Sequence, residues 1–290
     1  MSTHRFLPSA LILAALLAAC GEQGATPSTG LTASLAQDVA DVITEDQEAL
    51  IEGSTLEPAT GVSLAPASDP SFSGPPPCTP EVTPSPPSNS DGDAIPDSAR
   101  FDFAGCAFTR GNFSFVLSGV IHIIDPTAAQ AGFGIKTIFE GFTRERTFVP
   151  TSRLITAEFN GIRQLTGSPD AIQHFISDFE TRITFPLGGT VNHLKDWNAT
   201  FTADVAGSIA HGQPLPSGII NVTGSSRWSR GQNEVFSMSI TTTGLHFNAS
   251  CTVVPRFDAG SSMLIVTRRG ETSNVLVEHT ACGQYTVTRS

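Results

Sequence analysis

The chain has 290 residues, a formal net charge of −11 and nineteen phenylalanines against two tryptophans and one tyrosine. The charge is segregated: residues 21–99 hold thirteen acids and no lysine or arginine, whereas residues 100–290 hold fourteen acids and fifteen bases. An acidic segment of that length is repelled by phosphate backbones and anionic head groups, which argues against nucleic-acid binding. So few tyrosines and tryptophans also argue against the aromatic girdles of a transmembrane barrel.

Residues 1–19 begin with His4 and Arg5 and continue as an apolar stretch from Leu7 to Ala19 that ends in Leu17-Ala18-Ala19-Cys20. As a helix the stretch is too short for a hydrocarbon core of roughly 30 Å, so its length and flanks fit a signal peptide better than a membrane span. The final tetrad resembles the lipobox of bacterial lipoproteins. That resemblance implies cleavage before Cys20 and acylation of its thiol and new amino group, palmitate included. Several acyl chains on one residue suffice for stable anchoring. Gly21, rather than aspartate, follows the cysteine, which by the same resemblance implies the outer membrane of the cell envelope.

Residues 20–99 read as a lipidated acidic tether. Within it, residues 31–51 carry Leu35, Val39, Val42, Ile43 and Leu50 at helical spacing, with Asp38, Asp41, Glu45, Asp46 and Glu48 on the other face, so an amphipathic helix is expected. It is either spacer or a transient plug docked on an apolar opening of the sheet that follows. From Pro58 to Pro96 stand eleven of the twenty prolines, a composition that favours extended, solvated backbone. A coil of about 80 residues spans roughly 50 Å.

The motif Asn89-Ser-Asp91-Gly-Asp93-Ala-Ile-Pro-Asp97 resembles the calcium repeats of thrombospondin type 3 modules over nine residues. The resemblance implies Asn89, Asp91, Asp93 and Asp97 as oxygen ligands of a structural calcium ion. The glycine expected at one position is Ala94, and only one copy exists; the alternative is a turn-rich acidic cap on the first strand.

With Cys20 lipidated, four cysteines remain. An even number in an exported chain reads as disulfides. The sequence-local pairing is favoured, Cys78 with Cys106 and Cys251 with Cys282, each worth roughly 3–4 kcal/mol in the chain-entropy model.

Residues 100–290 change to a period of two and predict an all-β domain: a single antiparallel unit of about ten strands, as barrel, half-barrel or sandwich. Phe175, Phe179, Ile183, Phe185 and Leu187 share one parity, with Asp178, Glu180 and Arg182 on the other. Arg144, Arg146, Arg163 and Arg182 read as solvent-facing. Asp170 to Phe175 is the one helical candidate inside. Seventeen phenylalanines fall in this domain; lacking a polar handle, they belong in a dry core or an apolar site. No zinc, nucleophile-elbow or phosphate-loop motif is present, so no catalytic residue is assigned. Three functions compete: binding of an apolar or lipid ligand, resembling half-barrel carrier lipoproteins in architecture only; a structural or interaction role; and catalysis.

Overall fold

Alternating apolar and polar residues extend as strands because their side chains then fall on opposite faces of a pleated sheet. The computed structural model describes residues 31–52 and 79–290, apart from 94, 111, 130–132, 211–212 and 232. A helix, α1 (Ala33–Glu52), precedes twelve strands. They are β1 (Glu81–Thr83), β2 (Ser98–Arg110), β3 (Phe113–Ile124), β4 (Phe133–Phe148), β5 (Arg153–Gly167) and β6 (Ala171–Thr184). They continue with β7 (Thr190–Ala203), β8 (Gly218–Arg230), β9 (Asn233–Phe247), β10 (Phe257–Arg268), β11 (Glu271–Ala281) and β12 (Gln284–Arg289). Every strand pairs antiparallel with its neighbours in sequence, giving one sheet in the order β1 to β12. The sheet is open at both ends. The all-β expectation therefore holds as a single meander, and the closed barrel and the two-sheet sandwich are set aside. The segment Asp170 to Phe175 enters β6 and is not a helix.

The strands are interrupted at matching heights. Register shifts fall between Ala104 and Cys106 on β2, Ser118 and Val120 on β3, Phe139 and Phe142 on β4, Asn160 and Ile162 on β5, and Ile176 and Phe179 on β6. Bulges bend a strand and sharpen its twist, so a row of them folds the sheet along a line. Gly119 and Gly161 sit on that line with φ of +94° and +112°. A Cβ at Gly119 would overlap the carbonyl oxygen of Gly141, and one at Gly161 that of Asp178. The amides released by the bulges are recaptured. Gly141 donates its N–H to Asn160 Oδ1 at 2.7 Å, and Asp178 donates to Asp196 Oδ1 at 2.7 Å.

The same bulges overturn one expectation. On β6 the inward set is Ile172, His174 and Ile176, but after the bulge it is Phe179, Thr181 and Ile183. Phe175 is therefore left 44 % exposed on the outer face. A strict period of two cannot anticipate a residue inserted mid-strand.

The sheet begins before residue 100, within the stretch read as tether. β1 pairs with β2, and Ile95 is fully buried. The buried residues form two clusters on one face. One joins Ile95 to β2–β6 and is rich in phenylalanine; the other joins α1 to β5–β12. Ile135 and Phe179 pack against both and mark the seam.

Substituting Gly161→Ala should cost at least about 2 kcal/mol, since the side chain meets both a left-handed backbone and the neighbouring carbonyl. Asp196→Ala should cost about 1–2 kcal/mol by orphaning the Asp178 amide, while Asp196→Asn keeps the acceptor and most of the stability. Urea unfolding of the three variants checks this.

Candidate functional site: the inner face of the sheet and its helix

α1 starts where Thr32 Oγ1 accepts the Leu35 N–H at 3.2 Å, an ordinary side-chain cap. Its buried positions run from Val42 through Ala36, Ala40, Ile43 and Gln47 to Glu48. At about 100° per residue these cover roughly two thirds of the helix circumference. A flat sheet would cover a single stripe, so α1 is enclosed in a trough. The helix expected as spacer or transient plug is a core element of the fold.

Polar bonds fix the helix from both flanks. Gln47 donates to Ser262 Oγ on β10 at 2.9 Å in a fully buried contact. Tyr285 on β12 donates its hydroxyl to Asp41. Lys195 on β7 pairs with Asp46, and His193 Nε2 lies 3.7 Å from the same carboxylate. Glu48 takes both the backbone N–H of Arg256, at 3.0 Å, and its guanidinium. The acidic face is thus turned partly toward the sheet, because the sheet supplies cations there. Burial nonetheless raises the Asp46 carboxyl above its usual range, with Lys195 opposing. Burial pushes His193 well down, aided by Lys195. Its ring stacks on Trp228 at 4.2 Å, and Trp228 stacks on Phe236 at 4.4 Å.

The other half of the inner face, on β2–β6, combines phenylalanines with arginines. Phe103 and Phe142 meet edge to face at 5.4 Å, and Phe139 and Phe179 at 5.5 Å. Arg146 lies over Phe113 at 3.9 Å, Arg163 over Phe179 at 5.7 Å and Arg144 over Phe159 at 6.0 Å. The reading of Arg144, Arg146 and Arg163 as solvent-facing is corrected; of the four arginines, Arg182 alone lies outside, near Glu158 and Glu180. A guanidinium on an aromatic face gains a cation–π contact that charge counting does not see. Arg163 loses basicity through burial. His174, diagonal to it across β5 and β6, has both ring nitrogens buried without a hydrogen bond. Burial first, then Arg163, holds His174 well below its usual pKa.

Cys251 and Cys282 are bonded, Cα to Cα 5.7 Å. The bridge ties the loop after β9 to the β11–β12 turn and so steadies the loop that presents Arg256 to Glu48. Cys106 is also disulfide-bonded. Cys20 and Cys78 lie outside the described residues. Of the proposed calcium ligands, Asp91 and Asp93 come together, joined by Asp125, which the motif does not contain. Asn89 and Asp97 are used otherwise: Asn89 Oδ1 accepts the Gly92 N–H at 2.7 Å, and Asp97 accepts the N–H and hydroxyl of Ser90 at 2.8 and 2.6 Å.

Two further features bear on chemistry. His246 is held between Asp204 at 2.9 Å and Asp258 at 2.6 Å. Hydrogen bonds to Asp204 and Asp258 raise its pKa, and with both ring nitrogens engaged it is a clasp, not a general base. An open groove of about 340 Å³ on the convex side is lined by Leu194, Asp196, Ser225, Arg227, Ser239 and Ile265 among others. Among the described residues no helix is long and apolar enough to cross a membrane. No family model, no curated protein and no solved structure matches this chain.

The buried neutral histidines set a pH dependence. Unfolding returns each imidazole to water, where it binds a proton below a pH of about 6.5. His279, enclosed beside Phe257 and Tyr285, is pushed down by burial to about 4. Between those values the unfolded chain binds more protons, so stability falls as pH drops from about 6.5 toward about 4. Replacing His279 with Leu should reduce that loss by about 2 kcal/mol, read from urea unfolding at pH 7.5 and pH 4.5.

Proposed function

We propose that this protein is a lipid-anchored lipoprotein of the bacterial envelope, held in the outer membrane through acylated Cys20. Its curved sheet binds an apolar ligand with an anionic head, of the fatty-acid or phospholipid class, without catalysis. Arg163 carries the reading. Among the described residues it forms no ion pair, yet it sits on the inner face beside Phe179, His174 and the seam between the two clusters. Arg163 is half-buried over the Phe179 ring with no counter-ion among the described residues, and an anionic ligand would offset the cost of withdrawing its charge from water. The phenylalanines of β2–β6 are suited to an acyl chain. The chain's own helix supports the same chemistry, because an acidic amphipath already occupies the other half of the trough.

A second reading, a structural or interaction lipoprotein, is favoured by the closed packing of Phe103, Phe115, Phe142 and Phe159, each no more than 5 % exposed. Native mass spectrometry of the mature chain carrying Cys20→Ser decides between them. Bound fatty acid or phospholipid, lost by about tenfold in Arg163→Gln, supports the carrier. A ligand-free mass from envelope preparations, with no uptake of added oleate, leaves the structural role. The anchor is tested separately. Cys20→Ser should remove the lipid mass and membrane fractionation, and stable membrane association of that variant would overturn the anchoring.

A further inference from the structure

We infer that Asp91, Asp93 and Asp125 form a calcium site that clips the segment before β2 to the turn after β3. The site differs from the ligand set that the sequence motif implies, and its third carboxylate comes from a separate part of the chain. One carboxylate oxygen from each residue lies within 4.8 Å of the others. The Asp125 side chain belongs to a residue only 4 % exposed. Its Oδ1 accepts the Thr127 N–H at 2.7 Å and the Thr127 hydroxyl at 2.9 Å. That leaves Oδ2, which is buried and accepts no hydrogen bond. Oδ2 of Asp91 and Oδ2 of Asp93 are buried and unbonded in the same way.

Their other oxygens are already committed. Asp91 Oδ1 accepts the Asp93 N–H at 3.1 Å, and Asp93 Oδ1 accepts the Ile95 N–H at 2.8 Å. Each of the three clustered aspartates therefore keeps one buried oxygen spare. Carboxylates about 5 Å apart repel by about 3 kcal/mol per pair at an effective dielectric of about 20. Among the described residues no lysine or arginine forms an ion pair with any of the three. A hard divalent cation removes the repulsion and supplies the missing partner for each Oδ2. Calcium fits better than magnesium, because it accepts irregular all-oxygen sites completed by backbone carbonyls and water, whereas magnesium demands a near-ideal octahedron.

The clip has a mechanical consequence. Asp125 also donates its own N–H to the carbonyls of Pro96 and Asp97, at 3.2 and 3.3 Å. Calcium would add a second tie across the same junction and hold Ile95 in the phenylalanine cluster. The test is calorimetry on the mature chain with Cys20→Ser, stripped with EDTA and titrated with calcium chloride. One site is expected, with a Kd on the order of 0.1–1 mM, as for extracellular modules. A higher melting temperature in calcium than in EDTA should accompany it. Asp125→Asn and Asp93→Asn should each weaken binding by at least about tenfold. Asp97→Asn, which keeps an acceptor for Ser90, should leave binding within about threefold. Absence of both heat and melting shift for the unsubstituted chain at about 5 mM calcium would overturn the site, whatever the variants do. Loss in Asp97→Asn with retention in Asp125→Asn would overturn the assignment and return the ion to the sequence motif.

Discussion

The row of bulges is the constraint on which the rest depends. Twelve strands joined only by hairpins would otherwise form a broad, gently twisted sheet. Interrupting each of β2 to β6 at matching heights concentrates the bend along one line. The bend creates an inner face, and the inner face decides which residues are core. It also explains the placement of certain polar residues. Asn160 and Asp196 stand next to the line because a bulge releases an amide that needs an acceptor on the neighbouring strand. Curvature, glycine placement and these two side chains are one device.

A trough of this kind has an unsatisfied interior, and the helix satisfies half of it. The segregation of charge then has a physical reading beyond solubility. The acidic N-terminal segment and the more basic remainder complement each other across the trough, through Asp46 with Lys195 and Glu48 with Arg256. Ion pairs this enclosed add little net stability over an apolar contact, since desolvation cancels most of the attraction. Their effect is on register: a helix held only by Val39, Ile43 and Leu50 could slide or rotate, whereas one tied to β7, β10, β12 and the Arg256 loop has one seat.

Much of this was legible in the sequence because it rests on local periodicity. The helix, the change to period two near residue 100 and the Cys251–Cys282 bridge all leave short-range signals. What was not legible depends on insertions and on distance. The side facing the core cannot be followed through a bulge, so by parity alone Phe175 and Phe179 share one face. An arginine stacked on phenylalanine looks, in sequence, like an arginine in water, as Arg146 and Arg163 do. Asp125 stands 32 residues beyond Asp93 and becomes its neighbour only because β2 and β3 pair with Ser98 opposite Ile124. No motif records that pairing. The partner of the helix was hidden for the same reason: Tyr285 lies 244 positions from Asp41.

The seated helix also changes the geometry of the anchoring proposed at Cys20. If residues 20–99 were all tether, a body beginning at residue 100 would range roughly 50 Å from its lipid. With α1 built into the sheet, eleven positions separate Cys20 from Leu31, which reach about 40 Å at full extension and no further. An anchor at Cys20 therefore keeps the trough close to the bilayer surface. The acidic residues that would be repelled by anionic head groups are partly neutralised inside the fold by Lys195 and Arg256, so close approach carries less electrostatic penalty than the sequence alone suggests. For a protein that exchanges an amphiphile with a membrane, proximity shortens the exposed path of the acyl chain through water. For a purely structural lipoprotein the same tie fixes the body against the surface. In both cases the helix would convert a loose leash into a short one.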